Sequence, residues 1–477
     1  MSGNMRERIV DVAPARGTTG GLQRAARVLG RPTVLHPDTV FVVALVIAAF
    51  ALRVIAAIVL HGIVFARGYT FFTRGDDQAY DSAAWQQAQA WRGAGPAVDV
   101  GHTYLLNAYT YTEAGLYLLV GHRPFAMILL NCACGALAAG VVYLLALHLF
   151  DRFAARFSAI VAAFFPSMFF WSLLNLKDAM ALLSIAILLW LVTRLVTTGD
   201  RRLILPVLAT LAVVGSLRIY IGGLLSVLIP VAVALQHRAR FPRKWPAAAT
   251  LLAGSVVILW LSGGGAWFVQ TFPLLGQMRF ANAGEANSAY VPAAGSIAGS
   301  AVTTAVASTG TAPATAVPTI AAAGGAAVAP APTADPDAIA RRGSLRELVH
   351  WFPIGLAYAL GAPFPWAARR AVELATAPEM LLWYAALVLA AIGFGVHWRR
   401  WRHYVPIAGY LVGALFVMAV AEGTIGTLLR HRTMIILPTL IFSGAGVAWL
   451  WSRWRSRGAR YGPRSRPTAA LSPPSGD

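Results

Sequence analysis

Long apolar runs recur along the chain and constrain its fold more than any other feature. A membrane-spanning helix needs about 20 predominantly apolar residues to cross roughly 30 Å of hydrocarbon. Only 12% of the residues are charged, against about a quarter in soluble proteins. We therefore predict an all-α polytopic membrane protein with about 10 transmembrane helices. The predicted spans lie near residues 40–61, 124–150, 157–174, 178–198, 203–216, 219–236, 246–262, 379–396, 404–421 and 433–451.

The positive charge is distributed unevenly between the two predicted faces of the membrane. The chain has 39 basic and 19 acidic residues and a net charge of +20, a balance that is typical of nucleic-acid binders. With the N-terminus inside, however, 24 of the basic residues lie in cytoplasmic segments, and only 6 of the acidic ones do. Cytoplasmic loops accumulate Arg and Lys in this way. We therefore expect a plasma (inner) membrane protein with both termini cytoplasmic and no nucleic-acid partner.

The predicted topology divides the chain into consecutive regions. A basic cytoplasmic segment is followed by a transmembrane core with a first outer loop, a long outer loop, the last transmembrane helices and a basic cytoplasmic tail. These regions are 1–38, 39–262 with the outer loop 66–123, 263–378, 379–451 and 452–477.

Both outer loops are predicted to carry surface helices. In the first, a helix begins at Gly75-Asp76-Asp77 and is stopped by the helix-breaking sequence that starts at Gly93. In the second, residues 345–360 favour a helix. Residues 291–340 consist largely of Ala, Thr, Pro and Gly, which cannot bury enough apolar surface to offset the entropy of ordering. They predict a disordered insertion.

Charged residues in several short outer segments face the same compartment. Asp76 and Asp77 are adjacent, and Asp81 lies four residues after Asp77 on one helical face. One aspartate would suffice to cap the helix, whereas neighbouring carboxylates repel each other unless a cation or a shared proton relieves them. We therefore predict a functional role for Asp76 or Asp77.

The basic residues of the outer face point to an anionic ligand. Arg430 and Arg432 lie in a short outer loop, against the charge bias that orients the chain. A guanidinium group there can bind a phosphate with two hydrogen bonds. Lys177 and Asp178 precede another span, where Asp178 is equally well explained as a helix cap, and Arg218 lies between two further spans.

Three stretches of this sequence resemble the C-type integral-membrane glycosyltransferases, in particular the protein O-mannosyltransferase and aminoarabinose transferase branches. The resemblance covers roughly residues 40–200. It is carried by Asp76, Asp77 and Tyr80 after the first span, by the stretch 118–125 leading into a span with Asn131, and by the stretch 165–172 before Lys177-Asp178.

This resemblance implies transfer of a sugar from a polyprenyl-phosphate carrier to a glycan, lipid or protein acceptor on the extracytoplasmic side. A carboxylate would take the proton of the acceptor hydroxyl, and cationic groups would stabilise the departing phosphate. A single displacement predicts inversion at the anomeric carbon. We expect Asp76 or Asp77 as the catalytic base. The expected substrate-binding residues are Tyr80, Asp81, Lys177, Asp178, Arg218, Arg430 and Arg432.

Several alternatives stay open at the level of sequence. A carboxylate-rich site would suit Mg²⁺ or Mn²⁺, although only two or three candidate ligands are visible. A glycan polymerase or ligase acting on lipid-linked oligosaccharide would share the membrane face and the arginines. A lipid or glycan transporter would place its polar groups near the bilayer midplane and often has repeated halves, neither of which is seen in this sequence.

Overall fold

The computed structural model describes residues 37–73, 75–95, 108–237, 241–261, 345–366 and 371–461. The chain divides into two units, Met1–Ala44 and Leu45–Asp477. Arg74, the predicted insertion at 291–340, most of the segment 1–38 and most of the tail 452–477 lie outside the described residues.

Every regular element among the described residues is a helix, as predicted. The α-helices are α1 (Pro37–Ala66), α2 (Asp76–Trp91), α3 (Ala108–Val120), α4 (Pro124–Leu149), α5 (Arg152–Phe164), α6 (Pro166–Phe170), α7 (Asp178–Thr198), α8 (Ile204–Leu217), α9 (Ile219–Ala234), α10 (Lys244–Leu261), α11 (Leu345–Gly361), α12 (Ala371–Val396), α13 (Trp401–Ala421) and α14 (Ile425–Tyr461). The chain is therefore an all-α polytopic membrane protein.

A helix occupies each of the ten predicted spans, but the helices differ in length. Within the described residues, seven are long and apolar enough to cross a membrane: α1, α4, α7, α10, α12, α13 and α14. An eighth span is formed if α5 is joined to the segment Pro166–Leu173, with a bend of 56° between them. The remaining two predicted spans correspond to α8 and α9, which have 14 and 16 residues.

Close backbone contact between the last helices fixes the C-terminal half. Helix α12 packs extensively along α14, and two glycines lie at this interface. A Cβ atom on Gly393 would collide with the carbonyl oxygen of Phe442, and one on Gly446 would collide with the carbonyl oxygen of Leu389. Only glycine permits such an approach, so these residues set the spacing between the two helices.

Two short helices pack against each other in the first predicted outer loop. Helix α2 begins at Asp76 and ends at Trp91, as the sequence predicts. Helix α3 was not predicted. Ala84 and Ala88 of α2 pack on Ala114 and Tyr117 of α3, and Trp85 covers this cluster. This packing places the N-terminus of α2, with its two aspartates, beside the ends of the spanning helices.

Candidate functional site

The centre of the site is the carboxylate of Asp178 at the first residue of α7. Its side chain is only 5% exposed, and it is shared between two guanidinium groups. Oδ1 accepts a hydrogen bond from Arg218 Nη2, and Oδ2 accepts one from Arg430 Nε at 2.6 Å. A carboxylate can accept several such bonds. Asp178 therefore joins α7 to the α8–α9 junction and to α14.

Arg430 links this buried pair to the surface. Besides Asp178, its guanidinium group donates through Nη1 to Asp76 Oδ2 at the start of α2. The Asp76 side chain is 58% exposed, whereas that of Arg430 is 13% exposed. Asp76 is thus a solvent-accessible carboxylate held against a half-buried cation.

A histidine fixes the opposite edge of Arg218. Arg218 Nη1 lies 2.8 Å from His431 Nε2, and arginine can only donate. His431 Nε2 is therefore the acceptor, which leaves the ring proton on Nδ1. That atom donates to Glu422 Oε1 at 2.5 Å. The hydrogen bonds from Arg218 to His431 and from His431 to Glu422 therefore hold the Arg218 guanidinium group in its orientation.

Lys177 and Tyr80 complete the group. The ammonium nitrogen of Lys177 lies 5.6 Å from the centroid of the Tyr80 ring, within the range of a cation–π interaction. Burial, followed by repulsion from Arg218, lowers the pKa of Lys177 to about 8. Burial likewise raises the pKa of Tyr80. A phosphate placed here would relieve the repulsion among the cations, so the arrangement suits an anionic ligand.

The acidic pair is divided between two environments. Asp76 faces Arg430, whereas Asp77 is 1% exposed and its oxygens accept hydrogen bonds from Thr73 N, Thr73 Oγ1 and Gln78 N at 2.9, 2.5 and 3.0 Å. Asp77 therefore stabilises the start of α2. Between the two aspartates predicted as the base, the geometry favours Asp76.

Arg432 does not join Arg430 at the site. It is 1% exposed. Its guanidinium group donates to the carbonyl oxygens of Ala359 at 3.1 Å, Tyr358 at 3.2 Å and Ala362, and Nη1 lies 3.0 Å from the Met380 sulfur. A cation at the C-terminal end of α11 stabilises the free carbonyls there. The prediction that Arg432 binds phosphate does not fit this placement, because its donors already face protein groups.

Asp81 also lies apart from the basic residues. Its carboxylate accepts a hydrogen bond from Tyr117 Oη at 2.5 Å, and Oδ1 and Oδ2 lie 3.0 and 3.1 Å from His122 Nε2. The His122 ring stacks on Trp85 with 4.5 Å between centroids. These contacts make Asp81 part of the α2–α3 interface, in contrast to its predicted role in substrate binding.

Glu113 of α3 was missed in the sequence. It is fully buried, and its Oε1 lies 2.8 Å from Tyr117 Oη and 2.6 Å from Asn175 Nδ2. Burial raises the pKa of this carboxyl to about 7. A signal was present, because Tyr109, Glu113 and Tyr117 follow each other at intervals of four and so share a helical face.

The described residues do not form a recognisable metal site. Within them, no three His, Cys, Asp or Glu side chains are grouped to hold a metal ion. Asp76 and Asp77 direct their carboxylates to Arg430 and to Thr73, respectively. In the part of the chain that the structure describes, these carboxylates already face protein donors and therefore do not fit the Mg²⁺ or Mn²⁺ that the sequence left open.

Comparison with known proteins bears on this arrangement. Residues 108–262 match the sequence model of the dolichyl-phosphate-mannose-protein mannosyltransferase family. The resemblance predicted from the sequence is confirmed in this segment. The matched segment includes Lys177, Asp178, Arg218 and Glu113, whereas Asp76 and Arg430 lie outside it. Comparison with curated protein sequences finds no match.

Several chains of solved structures match this protein, and one of them matches over a large part of it. It is the archaeal oligosaccharyltransferase AglB from Archaeoglobus fulgidus, in complex with an inhibitory peptide and a dolichol-phosphate. The sequence identity is 10%, the TM-score is 0.42, and the match covers 88% of this chain and 52% of the other. This chain thus spans about half of the AglB chain.

Proposed function

We propose that this protein is a membrane glycosyltransferase that moves a sugar from a polyprenyl-phosphate carrier to an acceptor hydroxyl on the extracytoplasmic side. The observation that carries the proposal is the contact of Asp76 with Arg430, which Asp178 connects to Arg218. An accessible carboxylate and a cluster of cations are the two groups that such a transfer needs. The family match over residues 108–262 supports the same class of reaction.

In this proposal the three cations bind the carrier phosphate. Lys177 has three donors on a flexible stem, whereas Arg430 and Arg218 present planar donor groups held by Asp178. As the bond between the anomeric carbon and the phosphate oxygen breaks, negative charge grows on the phosphate. Donors already oriented in a partly buried site stabilise that charge without reorganisation.

Asp76 is proposed to act as the base. Its carboxylate takes the proton of the acceptor hydroxyl while the hydroxyl oxygen attacks the anomeric carbon, and the lipid phosphate leaves with the bonding electrons. A phosphate on Arg430 would compete with Asp76 for the same guanidinium group. Donor binding would thereby free the carboxylate for catalysis. A single displacement inverts the anomeric configuration.

The test uses a labelled polyprenyl-phosphate sugar in membranes that contain the full chain. Loss of a general base reduces turnover by about 10² to 10⁴-fold, and we expect this of Asp76→Asn. The matched control is Asp77→Asn. It retains the oxygen that accepts from Thr73 Oγ1 and Gln78 N, loses only the acceptor for Thr73 N, and should keep most of the turnover. Wild-type turnover in Asp76→Asn would rule out the proposed base.

The same assay separates this activity from its nearest alternative. A single-sugar transferase gives one product, whereas a polymerase gives a ladder of lipid-linked glycans. Arg430→Ala should weaken donor binding, and unchanged donor affinity would remove Arg430 from the phosphate site.

A further inference from the structure

Hydrogen bonds connect six side chains of α2, α3, α4 and the segment before α7. Going along this chain of contacts, the side chains are those of Asn131, Tyr109, Asn175, Glu113, Tyr117 and Asp81. All six are buried. The number of polar hydrogens that these six side chains supply to one another determines the protonation state of Glu113.

At one end of this hydrogen-bond network, Asn131 fixes which groups donate and which accept. Its side-chain nitrogen lies 2.8 and 3.0 Å from the carbonyl oxygens of Leu174 and Leu176, so this atom is a donor. The same nitrogen lies 3.1 Å from Tyr109 Oη; its two hydrogens are shared among three oxygens, and it cannot accept a hydrogen bond. Tyr109 must therefore donate its own hydrogen elsewhere, to Asn175 Oδ1 at 2.6 Å. Asn175 is thereby oriented with its nitrogen toward Glu113.

At the other end of the network, Tyr117 has one hydrogen too few for its two contacts with carboxyl groups. Tyr117 Oη lies 2.5 Å from Asp81 Oδ1 and 2.8 Å from Glu113 Oε1, but a tyrosine hydroxyl carries a single hydrogen. If both carboxyls were ionised, one of these short contacts would join two acceptors. Both contacts are hydrogen bonds only when one carboxyl carries a proton and donates it to Tyr117.

The surroundings select Glu113 as the protonated partner. Glu113 Oε2 is buried and has no hydrogen-bond partner, and a charged oxygen in such a place is strongly disfavoured. Asp81, in contrast, accepts from Tyr117 and lies within hydrogen-bond distance of His122 on both oxygens. The raised pKa of Glu113 agrees with this choice.

We propose that Glu113 is protonated in the resting protein and that its proton holds α2 against α3, which makes Glu113 a positioning residue for Asp76. Glu113 donates to Tyr117, Tyr117 donates to Asp81 on α2, and Asp76 lies five residues before Asp81 on the same helix. When Glu113 ionises, Tyr117 can satisfy only one of two repelling carboxylates. The helix that carries Asp76 then loses one of its attachments.

The charged and titratable groups around this link belong to both helices. Asp81 and Arg92 come from α2, Arg92 donating to the Tyr117 carbonyl at 2.9 Å. Tyr109 and Tyr117 lie on the same helix as Glu113, and His122 follows that helix. The segment before α7 contributes the neutral amide of Asn175.

The decisive variant is Glu113→Gln, because it removes the titratable proton at nearly constant size. Tyr117 and Asn175 both contact Glu113 Oε1, so the amide can either donate to Tyr117 or accept from Asn175, but not both. Infrared spectra of the purified full chain near pH 6 should show the C=O stretch of a protonated carboxylic acid that is missing from Glu113→Gln. Identical spectra in that region would overturn the proposal. This measurement does not depend on the proposed transferase activity.

The pH profile separates positioning from a purely structural role. This arm rests on the proposed function. Wild-type turnover should fall as pH rises through about 7, approaching tenfold per unit if the ionised form is inactive, and Glu113→Gln should lack this decline. The control Asp151→Asn exchanges the capping carboxylate of α5 and should leave the decline in place.

Two further variants cover the remaining outcomes. Tyr117→Phe cannot bridge the two carboxyls and should lower the unfolding midpoint at every pH. If Glu113→Gln instead retained the wild-type decline, the proton would have no positioning role. If no donor supported transfer, the proposed function would fail, while the infrared result would still decide the state of Glu113.

Discussion

Arg430 and Arg432 lie two residues apart on α14, and the structure predicts opposite consequences for their loss. Arg432→Ala removes donors from the carbonyl oxygens of Tyr358, Ala359 and Ala362. Hydrogen bonds to charged groups contribute about 1.5 to 3 kcal/mol each. Because removing a buried guanidinium group also removes its desolvation cost, we expect a net destabilisation of about 3 to 5 kcal/mol.

The assay is denaturant unfolding of the full chain in detergent, combined with donor binding to the folded fraction. Arg432→Ala should unfold at a lower denaturant concentration and bind donor with unchanged affinity, whereas Arg430→Ala should bind donor more weakly. The control is Arg399→Ala at an exposed position, which should change the free energy of unfolding by less than about 0.5 kcal/mol. Near-wild-type stability of Arg432→Ala, together with weakened donor binding, would refute this reasoning and restore its predicted role as a phosphate ligand.

Two further predictions follow from the site and from the packing of the last helices. Lysine is charged below its pKa, so donor affinity should fall as pH rises through about 8. Lys177→Arg should move that fall to higher pH. If the pH dependence of donor binding were the same in Lys177→Arg, Lys177 would be excluded as a phosphate ligand. Gly393→Ala should cost about 1 to 3 kcal/mol because its methyl group overpacks the α12–α14 contact, whereas Gly395→Ala, which has open space around its Cβ position, should be tolerated. Equal stability of these two glycine variants in a thermal unfolding experiment would argue against the packing described for α12 and α14.

Most of the fold could be predicted because hydropathy over about 20 residues reports directly on the membrane. The start of α2 was also predictable from Gly75-Asp76-Asp77 and its end from Gly93. Helix α3 was not predicted, since its 13 residues combine Tyr, Thr and Glu and give no spanning signal. Its stability depends on packing against α2, which is a tertiary effect.

Residues in separate outer segments were expected to converge, and the structure places Asp76, Asp178, Arg218 and Arg430 in contact with one another; their role as a substrate site stays a prediction. The direction of each side chain could not be predicted. Successive residues on an α-helix differ by about 100°, so Arg430 and Arg432 point to different neighbours although both are basic and lie in the same predicted loop. Likewise, Asp76 and Asp77 are equivalent as sequence but face Arg430 and Thr73. Such distinctions depend on which helices surround α14 and α2.

The two arginines of α14 have a consequence for how this region of the gene can change. Each substitution there alters one contact, but an inserted codon between Arg430 and Arg432 would turn one arginine by about 100° relative to the other. Either the attachment to Asp178 or the one to the end of α11 would then be lost. The first turns of α14 should therefore tolerate changes of residue type far better than changes of length, and libraries that scan single-residue insertions and deletions should show a sharp local minimum at this position.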